Sequence, residues 1–310
     1  MRSTPGACDL SVLIATRDRA GSLARTLDSL VVQETLGLDW ELLVVDNGSS
    51  DETRAVLARF GKTLPLFALA EPRPGKNRAL NHALGHARGR LLVFTDDDVI
   101  ASPRWLDSLV AAAGRWPEAA VFGGPIEPLF PPGTPAWLRD PDFSFASEAF
   151  GAKRKSVEGY TDALPFGANL ALRSSVLEVL RFDEEIGPVA GVSYAQGSEY
   201  ELLTRLRQRG ERIVHVPDAQ VAHVILPHQV ELEWLFGRAE RIGRGAARVK
   251  RKRVPSTIFG WIPLCLNLWR ARWRAHRARH LAEPERFRIA HRAYYWRGYI
   301  AESRALRRGH

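Results

Sequence analysis

The apolar positions of this chain fall into short continuous runs separated by polar turns and by helical spacings. Leu10 to Ala15, Trp40 to Val45, Leu64 to Leu69 and Leu91 to Phe94 are runs without regular polar alternation. They read as strands buried on both faces, since a half-exposed strand would alternate. Between the first two, Leu23, Leu27, Leu30 and Val31 recur at the spacing of one helix face, predicting a helix over Leu23 to Gln33. Ser50 or Asp51 is placed to cap a second helix from about Glu52, and Ala79 to Arg88 predicts a third. Strand and helix thus alternate through the first hundred residues, which predicts a mostly parallel α/β sheet flanked by helices.

Further on, Ser102-Pro-Arg-Trp105 carries a cap and a first-turn proline and opens a helix, and Ala120 to Pro125 is a short strand. Residues 128 to 160 lose periodicity and hold Pro128, Pro131, Pro132, Pro135 and Pro141, so an irregular segment over the site is expected. Leu164 to Arg173 is apolar but interrupted by Gly167 and Asn169. Gly197-Ser-Glu-Tyr-Glu-Leu begins a helix with acidic residues in the first turn, where the helix dipole favours them. Arg212 to Val216 and Val221 to Ile225 are strands. From about Trp234 the pattern is helical, basic and aromatic, and Ile258 to Trp269 is apolar but contains Pro263 and Asn267. That run is shorter than the ~20 residues a membrane span needs.

Composition fits one large or two smaller α/β domains: 310 residues, 45% hydrophobic and 25% charged. Leu10 to Ala15 is too soon interrupted by Arg17 and Asp18 to be a signal peptide. Cys8 and Cys265 give neither a disulfide framework nor a zinc spacing, so a cytoplasmic location is expected. The net charge of +9 is asymmetric. Residues 238–310 carry 20 Lys or Arg against 4 Asp or Glu, whereas the first 237 carry 24 against 31. The tail therefore reads as an element for an anionic membrane surface, peripheral at the inner face of the cytoplasmic membrane, or as a helical subdomain with a solvated basic face.

The candidate chemistry centres on Asp96-Asp97-Asp98, where a buried strand runs into consecutive carboxylates. Like charges this close repel, and a divalent cation with oxygen ligands would relieve them; a solvated acidic turn is the plainer reading. Asp46 ends the second strand and can accept a hydrogen bond from a base N–H, or simply start a turn. The polar residues fall at the carboxyl ends of the strands, where open α/β sheets bind ligands.

Taken in order, Val44-Val-Asp-Asn-Gly-Ser-Ser-Asp51, Gly75-Lys-Asn-Arg-Ala-Leu-Asn81, Thr95-Asp-Asp-Asp98, Phe166-Gly-Ala-Asn-Leu-Ala171 and Gly197-Ser-Glu-Tyr-Glu-Leu202 resemble the motifs of the family 2 glycosyltransferases. The resemblance spans roughly residues 10 to 225. It implies a GT-A fold, to which the sequence pattern of the tail adds a C-terminal basic helical extension. Residues 1–232 would be the transferase domain, with 1–100 the nucleotide-binding half and 101–232 the acceptor half, and 233–310 the extension. It implies metal-dependent inverting transfer from a nucleoside-diphosphate sugar, with UDP the expected nucleotide, to a hydroxyl of a glycan, lipid-linked glycan or polysaccharide.

By the same resemblance, Thr16, Asp18, Asp46, Lys76, Arg78, Asp96 and Asp97 would hold the nucleotide sugar. Asp98, with His223 as a further ligand, would hold Mg2+ or Mn2+. Glu199 aligns with the general base that inverting transfer requires, with Glu201 as the alternative. The family's Glu-Asp pair is here Ser198-Glu199, a longer carboxylate after a serine. Gly167, Ala168 and Asn169 would line the acceptor side. The plainer readings are helix-start charges at Lys76 and Arg78, a structural His223, dipole-complementing Glu199 and Glu201, and a bulged strand at Gly167.

Two other classes compete. A nucleotidyltransferase on a similar sheet would want a Gly-rich loop after the first strand, where Thr16-Arg-Asp-Arg19 stands. A nucleic-acid-binding protein could use the Arg/Trp tail, but the first 237 residues are acidic and carry no such motif, so nucleic acid is not an expected partner.

Overall fold

The computed structural model describes residues 8–35, 37–140, 150–151, 156–177, 181–189, 194–250 and 258–308. They divide into two compact units. The first comprises the described residues of Met1–Phe130, Ala146–Phe182 and Glu199–Ile225; the second, those of Pro131–Phe145, Asp183–Ser198 and Leu226–His310. The second unit thus takes in two earlier segments besides the tail.

In the first unit, β1 (Cys8–Thr16), β2 (Trp40–Asp46), β3 (Leu66–Ala70) and β4 (Gly89–Phe94) alternate with α1 (Ala20–Val31), α2 (Thr53–Phe60) and α3 (Lys76–Leu84). Then come β5 (Val99–Ala101), α4 (Trp105–Arg115), β6 (Ala119–Gly123), β7 (Ile126–Leu129), β8 (Gly159–Tyr160) and β9 (Leu170–Arg173). β10 (Arg212–His215) and β11 (Val221–Val224) follow the helix Ser198–Gln208. The large sheet has the order β3-β2-β1-β4-β9-β6-β10-β8. β3, β2, β1 and β4 are parallel, as are β6 and β10, while β9 runs antiparallel between β4 and β6. β5, β11 and β7 make a small second sheet.

The continuous apolar runs of β1, β2 and β4 are explained by burial on both sides, whereas β3, expected to be buried too, lies at the edge of the sheet and is partly exposed, Phe67 by 50%. Leu10, Val12 and Ile14 of β1 pack with Leu23, Leu27 and Leu30 of α1 and with Trp105 of α4. Leu13 of the same strand packs the other way, with Leu80 and Ala83 of α3 and Leu202, Leu203 and Leu206. Successive strand side chains point to opposite faces, so one strand feeds both cores.

Local expectations shift at several ends. The helix after Ser102 starts at Trp105, preceded by Arg104 with no side-chain cap. Only the Trp105 amide reaches back, to the backbone carbonyl of Ser102. The third helix begins three residues earlier than Ala79, at Lys76. Of the segment 128–160, β7, the short helix α5 (Ala136–Arg139) and β8 are described, while 141–149 and 152–155 lie outside the described residues.

After α6 (Ser174–Leu177) and α7 (Ser198–Gln208), the second unit contributes the helices α8 (Leu232–Val249), α9 (Ile258–Arg277) and α10 (Glu283–Arg308). Arg244 and Arg248 of α8 pair with Glu302 of α10, and Arg297 of α10 pairs with Glu240 of α8. Among the described residues, no helix is long and apolar enough to cross a membrane.

Candidate active site

The carboxyl ends of β1, β2 and β4 meet in one polar cluster because parallel strands end on the same side. The loops after β1 and β2 are stitched together. Asp18 adopts a left-handed backbone (φ 49°) that few non-glycine residues take. Its Oδ1 accepts from the Ser50 amide at 2.7 Å and from the Ser50 hydroxyl at 3.0 Å. Asp51 accepts from the Ala20 amide with one oxygen and from the Thr53 amide with the other, so one carboxylate caps the first turns of α1 and α2. Asp46 is buried at the end of β2; its Oδ1 accepts from the Ser49 amide at 2.7 Å, and its Oδ2 lies 3.4 Å from Arg54 Nε.

Asn47 ties in the third loop. Its amide donates to the carbonyls of Glu71 and Arg73, and its side-chain oxygen accepts from the Gly75 amide at 2.8 Å. Glu71 is buried beneath this loop, and the hydrogen bonds from Arg73 hold its carboxyl down at about 2. The loop delivers Lys76 to the start of α3, with half-buried Arg78 in the same turn.

Lys76 reaches the acidic cluster: its Nζ donates to Asp96 Oδ1 at 2.6 Å and to Glu199 Oε1 at 3.4 Å. Burial alone would lower the ammonium, but Asp96 and then Glu199 reverse this and hold it well above the ordinary lysine range. Asp97 is buried and accepts from the Thr16 hydroxyl and from Arg19, each at 2.7 Å. Burial still prevails there and pushes its carboxyl up to about 6. Arg19 also donates to Asp98 at 3.0 Å. Burial opposes the charged form of Asp98 too, yet His223 and Arg19 hold its carboxyl below the usual range.

The pairing of β5 with β11 sets His223 opposite Val99, and its Nε2 stands 3.5 Å from Asp98 Oδ1. His223 Nδ1 lies 3.0 Å from the carbonyl of Phe150. A carbonyl only accepts, so Nδ1 carries a proton and Nε2 is the nitrogen turned toward Asp98. Asp98 Oδ1 is buried and accepts no hydrogen bond among the described residues. An orphaned carboxylate oxygen beside an oriented imidazole nitrogen suits a divalent cation. No group of three His, Cys, Asp or Glu among the described residues forms a ready cage. A bound diphosphate would have to complete the coordination, as it often does for Mg2+.

On the facing side, Gly167–Asn169 is one 3₁₀ turn that runs into β9. The carbonyl of Ala168 accepts from the Thr95 hydroxyl at 2.9 Å, tying the turn to the acidic strand end. Gly167 backs onto Glu199: a β-carbon there would lie 2.2 Å from Glu199 Oε1. The side chain of Asn169 is fully engaged in the scaffold. It donates to the carbonyls of Pro125 and Ala219 and accepts from Trp105 Nε1. Glu201 forms a bidentate pair with Arg205 at 2.8 and 2.7 Å. Of the two carboxylates starting α7, Glu199 is therefore the one joined to the Lys76–Asp96 cluster.

A family model for glycosyl transferase family 2 matches residues 11–181, more than half of the chain. The protein belongs to glycosyl transferase family 2. It is an enzyme of the transferase class, with the α/β architecture of GT-A glycosyltransferases and helices at the C-terminal end. It is 26% identical over 257 residues to succinoglycan biosynthesis protein ExoM of Rhizobium meliloti, covering 82% of this chain and 78% of that protein. It is 26% identical over 244 residues to a glucosyl-dolichyl phosphate glucuronosyltransferase of Haloferax volcanii, covering 74% of each. Mannosyltransferase PcManGT from Pyrobaculum calidifontis, solved with GDP-Man and Mn2+, aligns over 96% of this chain and 88% of its own. Its TM-score is 0.64 at 20% identity, a likeness of fold.

Three residues of this cluster escaped sequence reasoning. Arg19, Asn47 and Glu71 carry no periodicity or spacing that marks them as site residues, yet Arg19 bridges Asp97 and Asp98, and Asn47 and Glu71 hold the third loop. The available signal was an arginine one turn past a strand end in a fold with unpaired acidic groups.

Proposed function

We propose that this family 2 enzyme is a metal-dependent inverting glycosyltransferase that moves a sugar from a nucleoside-diphosphate donor to a hydroxyl. The acceptor is a glycan, a lipid-linked glycan or a polysaccharide. The observation that supports this most is the chain of contacts from Asp96 through Lys76 to Glu199, in which Lys76 joins an acidic strand end to a carboxylate 123 residues from that lysine in sequence. Asp46 accepts from the base of the nucleotide, UDP being favoured. Thr16 and Asp18 shape that pocket by holding the acidic turn and the Ser50 loop, and Arg78 and Lys76 face the diphosphate. Asp96 and Asp97 serve the ribose end.

Asp98 and His223 would hold Mg2+ or Mn2+, which when bound would supply Lewis-acid neutralisation of the diphosphate leaving group. Glu199 takes the proton of the acceptor hydroxyl as that oxygen attacks the anomeric carbon. Gly167 and Ala168 line the acceptor side. Residues 1–100 form the nucleotide half, 101–232 the acceptor half and 233–310 an extension, and 238–310 meet an anionic membrane at its cytoplasmic face. The Mn2+ and GDP-Man in the mannosyltransferase structure and the saccharide-related names of the relatives support this reading. The nucleotidyltransferase and nucleic-acid readings are not favoured.

The deciding experiment incubates the protein with a panel of nucleotide sugars and Mn2+ or Mg2+. Release of a nucleoside diphosphate, abolished by Glu199→Gln without loss of nucleotide-induced thermal protection, is expected. An inactive protein that no nucleotide protects would defeat the proposal.

A further inference from the structure

The exposed apolar side chains of α9 form one stripe. Phe259, Ile262, Leu266, Trp269 and Trp273 are spaced three and four residues apart, which puts them on one helix face. Phe259 is 77% exposed and Trp269 61%. Apolar side chains so aligned on a surface mark a binding face.

Each flank of the stripe is basic. One flank borders a cavity of about 760 Å³ with Arg272, Arg279 and Arg286 on its walls, where Glu283 is the single carboxylate. Its floor is aromatic, with Phe236 stacked on Tyr294 at 4.4 Å. The other flank borders a groove of about 550 Å³ lined by Arg270, Arg274, Arg288 and Arg292, with no carboxylate in its lining. None of these seven arginines makes an ion pair among the described residues. By contrast, Arg244, Arg248 and Arg297 in the same unit are all paired with glutamates. Arg297, although also on the wall of the first cavity, is held by Glu240, so the arginines of these two linings left without an ion pair among the described residues are the seven named.

We propose that α9 is a docking helix for an anionic phospholipid bilayer: its apolar stripe lies in the interface while lipid phosphates occupy the arginine grooves on both sides. The inference rests on the reading that residues 238–310 meet a membrane, and assigns the contact to one helix face. Charge selects this occupant. The three-four spacing would also suit a helix seam with a second copy, but that copy would bring its own arginine flanks, and α9 has no Asp or Glu to pair with them. Ile262 and Leu266 gain from acyl chains and offer nothing to stacked bases, which argues against nucleic acid. A helix too polar to cross and basic beside its apolar face lies in the plane of the interface.

The test is flotation of the whole chain with phosphatidylcholine vesicles, with and without about a third phosphatidylglycerol. Anionic vesicles are expected to carry the protein at low salt and to release it as salt screens the contact. Each arginine near the surface contributes about fivefold, so Arg270→Gln/Arg274→Gln/Arg288→Gln should weaken binding about a hundredfold. Trp269→Ser/Trp273→Ser should weaken binding to anionic vesicles at every salt concentration. Both variants should keep the wild-type nucleotide-induced melting shift, which also verifies that they fold and reads donor binding separately.

Wild-type vesicle binding by both variants would overturn the assignment to α9 and leave the tail reading standing. No binding by the native chain, or equal binding to neutral vesicles, would overturn both. A dimer in sedimentation that Trp269→Ser dissolves would show a second copy on this face and overturn the proposal.

Discussion

The Nζ of Lys76 lies 3.4 Å from Oε1 of Glu199, and the same nitrogen donates to Asp96 at 2.6 Å. One ammonium thus spans the proposed donor and base. Lys76→Met removes that link and leaves two half-buried carboxylates facing each other. Loss of one preorganised charged donor costs about 10²–10³ in rate, so turnover should fall by about that factor while the fold persists. Steady-state release of nucleoside diphosphate is the measurement. A rate within a few-fold of the native one would remove Lys76 from the site.

Gly167 backs onto the same glutamate. The β-carbon of Gly167→Ala would lie 2.2 Å from Glu199 Oε1 and 2.5 Å from its Cδ. These are side-chain atoms, so the glutamate can move aside and the backbone can stay. A misplacement of about 1 Å can cost about 10² in rate, and that loss is expected in turnover with the nucleotide-induced melting shift retained. Native turnover in Gly167→Ala would show that Glu199 does not act from its present position.

Arg19 bridges Asp97 and Asp98 from the start of α1. Arg19→Met leaves two buried carboxylates with one fewer cation. Breaking a buried pair costs about 3–5 kcal/mol, and the partial exposure of Arg19 places this case near the lower end. Because a metal ion can replace the missing charge, Mn2+ should raise the melting temperature of Arg19→Met more than that of the native protein. Equal metal responses would separate Arg19 from the metal site.

The sheet was legible in the sequence because strands buried on both faces print as unbroken apolar runs, as at Leu10 to Ala15. Asp96–Asp98 was legible because consecutive carboxylates at a strand end are chemically costly. Arg19 and Asn47 were not, since each acts across loops whose meeting is fixed only by strand order. The side chain of Asn169 misled for a related reason. Its partners, Trp105, Pro125 and Ala219, are 44 to 64 residues away, so its scaffold role leaves no local pattern. The pairing of Arg205 with Glu201, one turn on, separates the two glutamates of α7, of which the motif favours Glu199 and leaves Glu201 as the alternative.

Glu71 gives the loop beneath the proposed nucleotide site a dependence on acid. Its carboxyl is held at about 2, below its ordinary 4.5, chiefly by hydrogen bonds from Arg73. A depressed carboxyl contributes stability that is present above the unfolded value and lost as pH falls from about 4.5 toward 2. Each displaced pH unit corresponds to about 1.4 kcal/mol, and the exposed Arg73 partner reduces the sum, so a contribution of about 2 kcal/mol is expected. Glu71→Gln should therefore be less stable than the native protein by about that amount at pH 7, as judged by urea unfolding. The gap should narrow at pH 3.5, because the native carboxylate no longer holds its full advantage over the unfolded chain. A gap of the same size at both pH values would assign the effect of Glu71 to packing and not to its charge.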